Sequence, residues 1–323
     1  MQTLRRLLLR IKNRLIRDFF IYISESRITR HVTGEALIRQ LNFFFSKFKF
    51  LTILRNPYFK KFIDKKFLVD PLSQSSGAMS NLTILIPCTA KDFAILPSVI
   101  KAARINVRNP ITEIVVVTPD KGLELGDVGD IRVLHDDIFL ATPEVRKIIN
   151  ELDLNSGWLN QQLIKILFCL QENAKNILIL DADTVLTKPK YFICEKVQVL
   201  SFAYEYHAPY MRHLSGFCPE IHDFGLTFVT HHQLWQKDIV HEIWDNNKLG
   251  DWLSTINRQE LSPISEYHTY GLYTYNFHSD RVMISRFGNE QYSRKELEKK
   301  NLEINEVIEL FPNSCSVSLH SYS

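Results

Sequence analysis

The sequence points to an α/β domain built on a doubly wound, largely parallel sheet. Aliphatic runs such as Leu82-Thr-Ile-Leu-Ile86 and Ile177-Leu-Ile-Leu180 have the length and near-continuous hydrophobicity of strands buried on both faces. Segments with apolar residues at helical spacing separate such runs, so strand and helix alternate. The run at 177–180 ends in two carboxylates, Asp181-Ala-Asp183. Open α/β sheets take their ligands at the carboxyl ends of strands.

The elements follow in order. Residues 3–23 place Leu4, Leu7, Leu8, Ile11, Leu15, Phe19 and Tyr22 on one helical face, with Arg5, Arg6, Arg10, Lys12, Arg14 and Arg17 largely elsewhere. A second apolar and basic tract runs from Phe43 to Phe62. Residues 1–70 therefore read as a basic amphipathic helical extension. Residues 71–81, mostly small and polar with four Ser, read as a linker, and 82–323 as the catalytic domain. Within it, Leu82–Ile86 is a strand stopped by Pro87, and Ala94–Asn106 a helix. Glu113–Thr118 and Ile131–Leu134 are strands, Leu159–Glu172 a helix, and Ile177–Leu180 the strand bearing the carboxylates. Val197–Phe202 and Leu226–Thr230 follow as further strands.

Composition bounds the class. The 323 residues, 45% hydrophobic and 23% charged, are those of an ordinary globular chain. The net charge of +3 hides an asymmetry: residues 1–70 carry 16 Lys and Arg against 5 Asp and Glu, and the remainder 23 against 31. A basic amphipathic segment suits an anionic membrane surface; a helical extension packed on the domain is the alternative. No nucleic-acid-binding module accompanies the charge, so no nucleic-acid partner is expected. The five cysteines are odd in number and form no CxxC, which argues against a zinc site and fits a reducing cytoplasm. No apolar stretch reaches 18 residues, so no membrane-spanning helix is expected. The location expected is cytoplasmic, with the basic segment on the inner face of the membrane.

Two carboxylates one residue apart at a strand end can face a divalent cation. Mg²⁺ and Mn²⁺ are hard ions that take one or two carboxylates plus phosphate oxygens. Asp181-x-Asp183-x-Val185-Leu186 also matches the first motif of the haloacid-dehalogenase phosphatases, where the first Asp is the nucleophile. That family carries the motif on its first strand, whereas two or three strands precede it here.

Five segments stand in order across residues 82–285: Pro87-Cys-Thr-Ala-Lys91-Asp92, Gly157-Trp158-Leu-Asn-Gln161-Gln162-Leu-Ile-Lys165, Ile179-Leu-Asp181-Ala-Asp183, Phe228-Val-Thr-His231-His232, and Ser265-Glu266-Tyr267-His-Thr-Tyr270-Gly271. Together they resemble an uncharacterised family with the A-type glycosyltransferase fold, which is Rossmann-like. A more distant likeness to family 8 glycosyltransferases rests on the carboxylate pair and a late His. The resemblance implies a metal-dependent transferase that moves a sugar from a nucleotide-sugar donor, a uridine diphosphate sugar by preference, to a glycan or other hydroxyl acceptor. The other readings are a Mg²⁺ phosphatase and a membrane-associated scaffold without activity.

On this reading Asp183 is a direct metal ligand and Asp181 a partner to metal or ribose. His320, in Val317-Ser-Leu-His320, is the third ligand implied by the fold, and an imidazole favours Mn over Mg; an ordinary His in a frayed tail is the alternative. Thr89, Lys91 and Asp92 follow the first strand, where the fold holds the nucleotide, although Asp92 equally suits a helix cap. Gln161, Gln162 and Lys165 sit on one helix and are suited to sugar hydroxyls and diphosphate. Trp158 is a stacking platform or a core residue. His231 and His232 close an apolar strand, and by alternation one of them faces the ligand. Glu266, with Asp223 as a weaker rival, is the candidate general base of an inverting reaction.

Overall fold

The computed structural model describes Leu72 and residues 77–321, except 122, 124–128, 153–155, 204–206, 224–226, 246, 261, 287, 301–303 and 313. The expected extension at 1–70 lies outside the described residues, as do 71 and 73–76 of the linker. The fold is mixed α/β. Its elements begin with β1 (Leu82–Pro87), α1 (Leu96–Asn106), β2 (Ile111–Thr118), β3 (Arg132–His135), α2 (Asp137–Leu140), α3 (Pro143–Leu152), α4 (Ser156–Gln171) and β4 (Asn176–Leu180). There follow β5 (Thr184–Leu186), β6 (Ile193–Cys194), β7 (Val197–Phe202), α5 (Ala208–Phe217), β8 (His232–Gln236), α6 (Lys237–Trp244), α7 (Lys248–Ser254) and α8 (Glu266–Phe277). The last are β9 (Val282–Arg286), β10 (Asn289–Ser293), α9 (Arg294–Lys300), α10 (Ile304–Leu310) and β11 (Ser316–His320).

A central sheet has the order β3-β2-β1-β4-β8. Three of its four pairings are parallel, and β8 joins β4 antiparallel. Successive side chains of a strand point to opposite faces, and both faces here are covered. Ile84, Ile86, Ile114, Val116, Leu178 and Leu180 pack with Leu96, Val99 and Ile100 of α1. Leu85, Val115, Val117, Ile177 and Ile179 pack with α4 and α6 on the other side. That double burial is why the strands read as unbroken aliphatic runs rather than as alternating ones.

The chain departs from β1 toward β2 and β3 on one side and returns to β4 on the other. β1 and β4 are therefore the neighbours at which strand order reverses. A crevice opens at such a point beyond the carboxyl ends of the strands, and it is there that Thr89–Asp92 and Asp181–Asp183 emerge. Two three-stranded sheets, β10-β11-β5 and β6-β7-β9, flank the core. The first brings β11 against β5, with Ser318 opposite Thr184, so that the residues after β4 and the residues near 320 lie together.

One expected strand is displaced. Leu226–Thr230 is apolar, yet residues 228–230 belong to no strand, and the ladder beside β4 is formed by His232–Gln236 instead. The polar residues of β8 are buried because their partners are internal. Gln233 donates to the Phe228 carbonyl and accepts from the Trp235 indole; Gln236 donates to the Lys196 carbonyl. His231 and His232 thus precede and open a strand rather than close one. Trp235 stacks between Trp244 and Tyr270, with ring centroids 5.3 and 5.0 Å away, and fixes α6 and α8 to the sheet.

Candidate functional site

Asp181 stands at the carboxyl end of β4 with both oxygens engaged. Oδ1 accepts from Lys165 Nζ at 2.9 Å and from the Tyr267 hydroxyl at 2.9 Å. Oδ2 lies 3.2 Å from His231 Nδ1. Burial pushes the Asp181 carboxyl up, but the Lys165 ammonium and the His231 hydrogen bond outweigh it and hold the group well below the ordinary carboxylate range. Asp181 is therefore an anion at neutral pH. His231 reaches it because its backbone turns sharply, with φ at +54°, a left-handed conformation uncommon outside glycine. Burial opposes charge on His231, and Asp181 overcomes it, so its pKa lies above the usual histidine value.

Lys165 is buried on α4, between the two acids Asp181 and Glu266. Its Nζ is 2.8 Å from Glu266 Oε1 and 4.0 Å from the centre of the Tyr267 ring. Burial alone would lower the lysine pKa, but the two carboxylates raise it above the ordinary value. One turn earlier on the same face, Gln162 Oε1 accepts the backbone N–H of Glu266 at 3.0 Å. The first turn of α8 is thus gripped twice by α4. Ser265 caps α8 by accepting from His268 N. Burial and the nearby acids push the Tyr267 phenol well up, so it stays a proton donor to Asp181.

Asp183 faces β11. Its Oδ2 is 3.2 Å from His320 Nδ1, its Oδ1 accepts from Thr184, and its carbonyl accepts from Leu319 N at 2.7 Å. His320 lies within β11 and is 3% exposed, so it does not belong to a frayed tail. The His231 and His320 rings stand 5.6 Å apart, which places Asp181, His231, His320 and Asp183 in one row.

After β1, Thr89 and Lys91 are exposed and Asp92 is buried. Asp92 is not the N-cap residue of either neighbouring helix, those being Thr89 and Ile95; it pairs with the Arg294 guanidinium instead. Burial nonetheless raises its pKa. The Ala90 N–H donates to Asp120 Oδ2, which ties this turn to the end of β2.

Among the expected residues, Gln162, Lys165, Asp181, Asp183, His231, Glu266 and His320 come together. Gln161 is half-buried beside them on α4, and Trp158, also half-buried, packs against the core. Asp223 is exposed and does not join them: its neighbour His222 bonds Asn276, which on α8 lies about 15 Å of helix rise beyond Glu266. Glu266 is 4% exposed and committed to Lys165, a poor position from which to take an acceptor's proton. Two residues were not singled out from the sequence. Tyr267 lay inside a recognised segment, and its neighbour's charge drew attention from it. Arg294 stands in Tyr292-Ser-Arg-Lys-Glu, which carries no spacing signal.

The donor set at Asp183 and His320, an oxygen and an imidazole nitrogen, fits Mn²⁺ or Mg²⁺. Asp181, Asp183 and His320 are neighbours but not a tight ligand set, since Asp181 turns its oxygens to Lys165, Tyr267 and His231. Among the described residues, the group of three His, Cys, Asp or Glu ligand atoms within 4.8 Å of one another is His135, Asp136 and Asp137. These are consecutive residues between β3 and α2, on the far side of β2 from the carboxylate pair.

No family model matches the chain, and no curated protein matches it. Among solved structures, the galactosyltransferase LgtC in complex with donor and acceptor sugar analogs is 11% identical, covering 74% of this chain and 87% of that one, with a TM-score of 0.41. An active-site mutant of LgtC is 10% identical, covering 75% and 88%, with a TM-score of 0.42. Mouse xyloside xylosyltransferase 1 in its apo form is 10% identical, covering 75% and 98%, with a TM-score of 0.41. Similarity at this level assigns this chain no activity.

Proposed function

We propose that the chain is a glycosyltransferase that moves a sugar from a nucleotide-sugar donor, a uridine diphosphate sugar by preference, to a hydroxyl acceptor such as a glycan. The observation that carries this reading is the convergence of residues 87–92, 162–165, 181–183, 231, 266–267 and 320 on the crevice between β1 and β4. Among them Lys165, His231, Tyr267 and His320, far apart in sequence, are brought within hydrogen-bond reach of one carboxylate pair. Mn²⁺ or Mg²⁺ held by Asp183 and His320 would supply positive charge where the departing diphosphate becomes negative. Asp181, kept anionic by Lys165 and His231, orients this face of the crevice. Thr89 and Lys91, exposed after β1, suit the base, ribose or phosphate of a nucleotide.

Lys165 is enclosed by Asp181, Glu266 and Tyr267, which favours a role in fixing Asp181 over direct contact with diphosphate. The same enclosure counts against the phosphatase reading. A nucleophilic Asp181 would have to present a free oxygen, yet both of its oxygens accept hydrogen bonds and its side chain is 15% exposed.

Calorimetric titration of uridine diphosphate with and without Mn²⁺ tests the proposal. Metal-dependent binding in the parent, lost in Asp183→Asn, is expected, together with release of nucleotide diphosphate from a nucleotide sugar. Release of free phosphate would point to the phosphatase, and absence of both to a scaffold.

A further inference from the structure

Arg294 directly follows β10 and spreads its guanidinium over three segments. Nε donates to the Leu319 carbonyl at 2.6 Å, Nη1 to the Lys91 carbonyl at 2.6 Å, and Nη2 to Asp92 Oδ1. Leu319 in turn donates its own N–H to the Asp183 carbonyl. A continuous path therefore runs from the turn after β1, through Arg294 and the Leu319 peptide, to Asp183. Asp183 at one end is half-buried, Asp92 at the other is buried while Lys91 is exposed, and the Arg294 side chain is 15% exposed. The parallel register of β10 and β11, with Ser293 opposite His320, puts Arg294 one residue beyond the level of His320. A planar fork with five donors reaches three acceptors spread over separate segments at fixed geometry; an ammonium carries its three donors on one nitrogen and would have to draw those acceptors to a single point.

We propose that Arg294 is a positioning residue that locks the turn carrying Lys91 and Asp92 to the strand carrying His320, so that the two halves of the crevice move as one unit. The consequence for ligands rests on the glycosyltransferase reading above; the mechanical coupling does not. Arg294 touches no reacting group. It sets the distance between the residues suited to a nucleotide and those suited to a cation.

The test uses the full chain and two variants, Arg294→Gln and Arg294→Lys. Hydrogen exchange without ligand is read over 88–93, over 316–320, and over β2 as control. Removing charge-assisted bonds of this kind should speed exchange in both segments of Arg294→Gln by about tenfold or more, with β2 unchanged. Arg294→Lys, which keeps one charge but loses the fork, should protect one segment and not both. Faster exchange in only one segment of Arg294→Gln, or an equal rise across β2, overturns the coupling. Affinity for uridine diphosphate with Mn²⁺ is then measured. About tenfold weaker binding is expected in Arg294→Gln, and unchanged affinity alongside faster exchange overturns the positioning role. If the parent binds neither nucleotide nor Mn²⁺, the glycosyltransferase reading fails, and the exchange result alone decides for or against Arg294.

Discussion

Lys165 and Glu266, 101 residues apart in the chain, form an ion pair of 2.8 Å in which both side chains are at least 95% buried. Removing one member of a buried pair strands a charge. Lys165→Met should therefore cost about 3–5 kcal/mol, seen as a lower urea midpoint at unchanged slope. Because the stranded charge is the cause, Lys165→Met combined with Glu266→Gln should cost less than the sum of the two single changes. Strict additivity would show that the pair is not coupled.

Gly271 lies where α8 crosses the 228–231 segment. A Cβ there would stand 2.4 Å from Phe228 Cβ and 2.6 Å from Phe228 Cγ, closer than carbon atoms approach. Gly271→Ala should destabilise by about 1–3 kcal/mol through overpacking. It should also displace His231, three residues from Phe228. A double-mutant cycle with Phe228→Gly, which removes both atoms, should return part of the loss; no coupling between the two positions would reject the steric cause.

His213 is buried and donates through Nε2 to the Trp252 carbonyl, 2.7 Å away, so Nε2 carries the proton. Burial lowers its pKa from 6.5 to about 4 despite that bond. The depressed folded value means the unfolded chain binds a proton first. The stability contributed by neutral His213 is fully present above pH 6.5 and is lost as pH falls from 6.5 through about 4. The loss is on the order of 3 kcal/mol. His213→Gln, which keeps a donor for Trp252, should flatten the stability profile over that interval. A slope identical to the parent's would remove His213 as its source. His268, pushed down to about 3 by burial, acts in the same direction.

The basic amphipathic segment at 3–23 leads to a fourth expectation. Replacing Arg5, Arg6, Arg10, Lys12, Arg14 and Arg17 by Gln should weaken sedimentation with anionic vesicles at least tenfold, each such residue near the surface contributing about 1 kcal/mol. Raising the salt should narrow the difference. Equal partitioning of the two proteins would leave the segment without a membrane role.

The central strands were legible because β1, β2 and β4 are covered on both faces and therefore read as continuous aliphatic runs. β8 was not, because Gln233 and Gln236 satisfy their polarity inside the protein, where hydrophobicity cannot register it. The neighbouring run at 226–230 is apolar for a different reason: Phe228 fills the space against Gly271 and Tyr275. The carboxylate pair was legible from residue type and place, and His320 through the resemblance. What Asp181 does with its oxygens was not, since Lys165, Tyr267 and His231 meet it only through tertiary packing. Arg294 left no trace, because three backbone and side-chain acceptors from distant segments create its environment.

The pairing of β5 with β11 joins Asp183 to His320 across 137 residues of intervening chain. Closing a loop of that length is entropically costly before any contact compensates it, and contacts of such long range form late. The parallel strands β1, β2 and β4 can assemble while this side of the crevice is still open. During refolding, recovery of secondary structure should therefore run ahead of recovery of ligand binding. The interval between the two would time the arrival of the strand that completes the site.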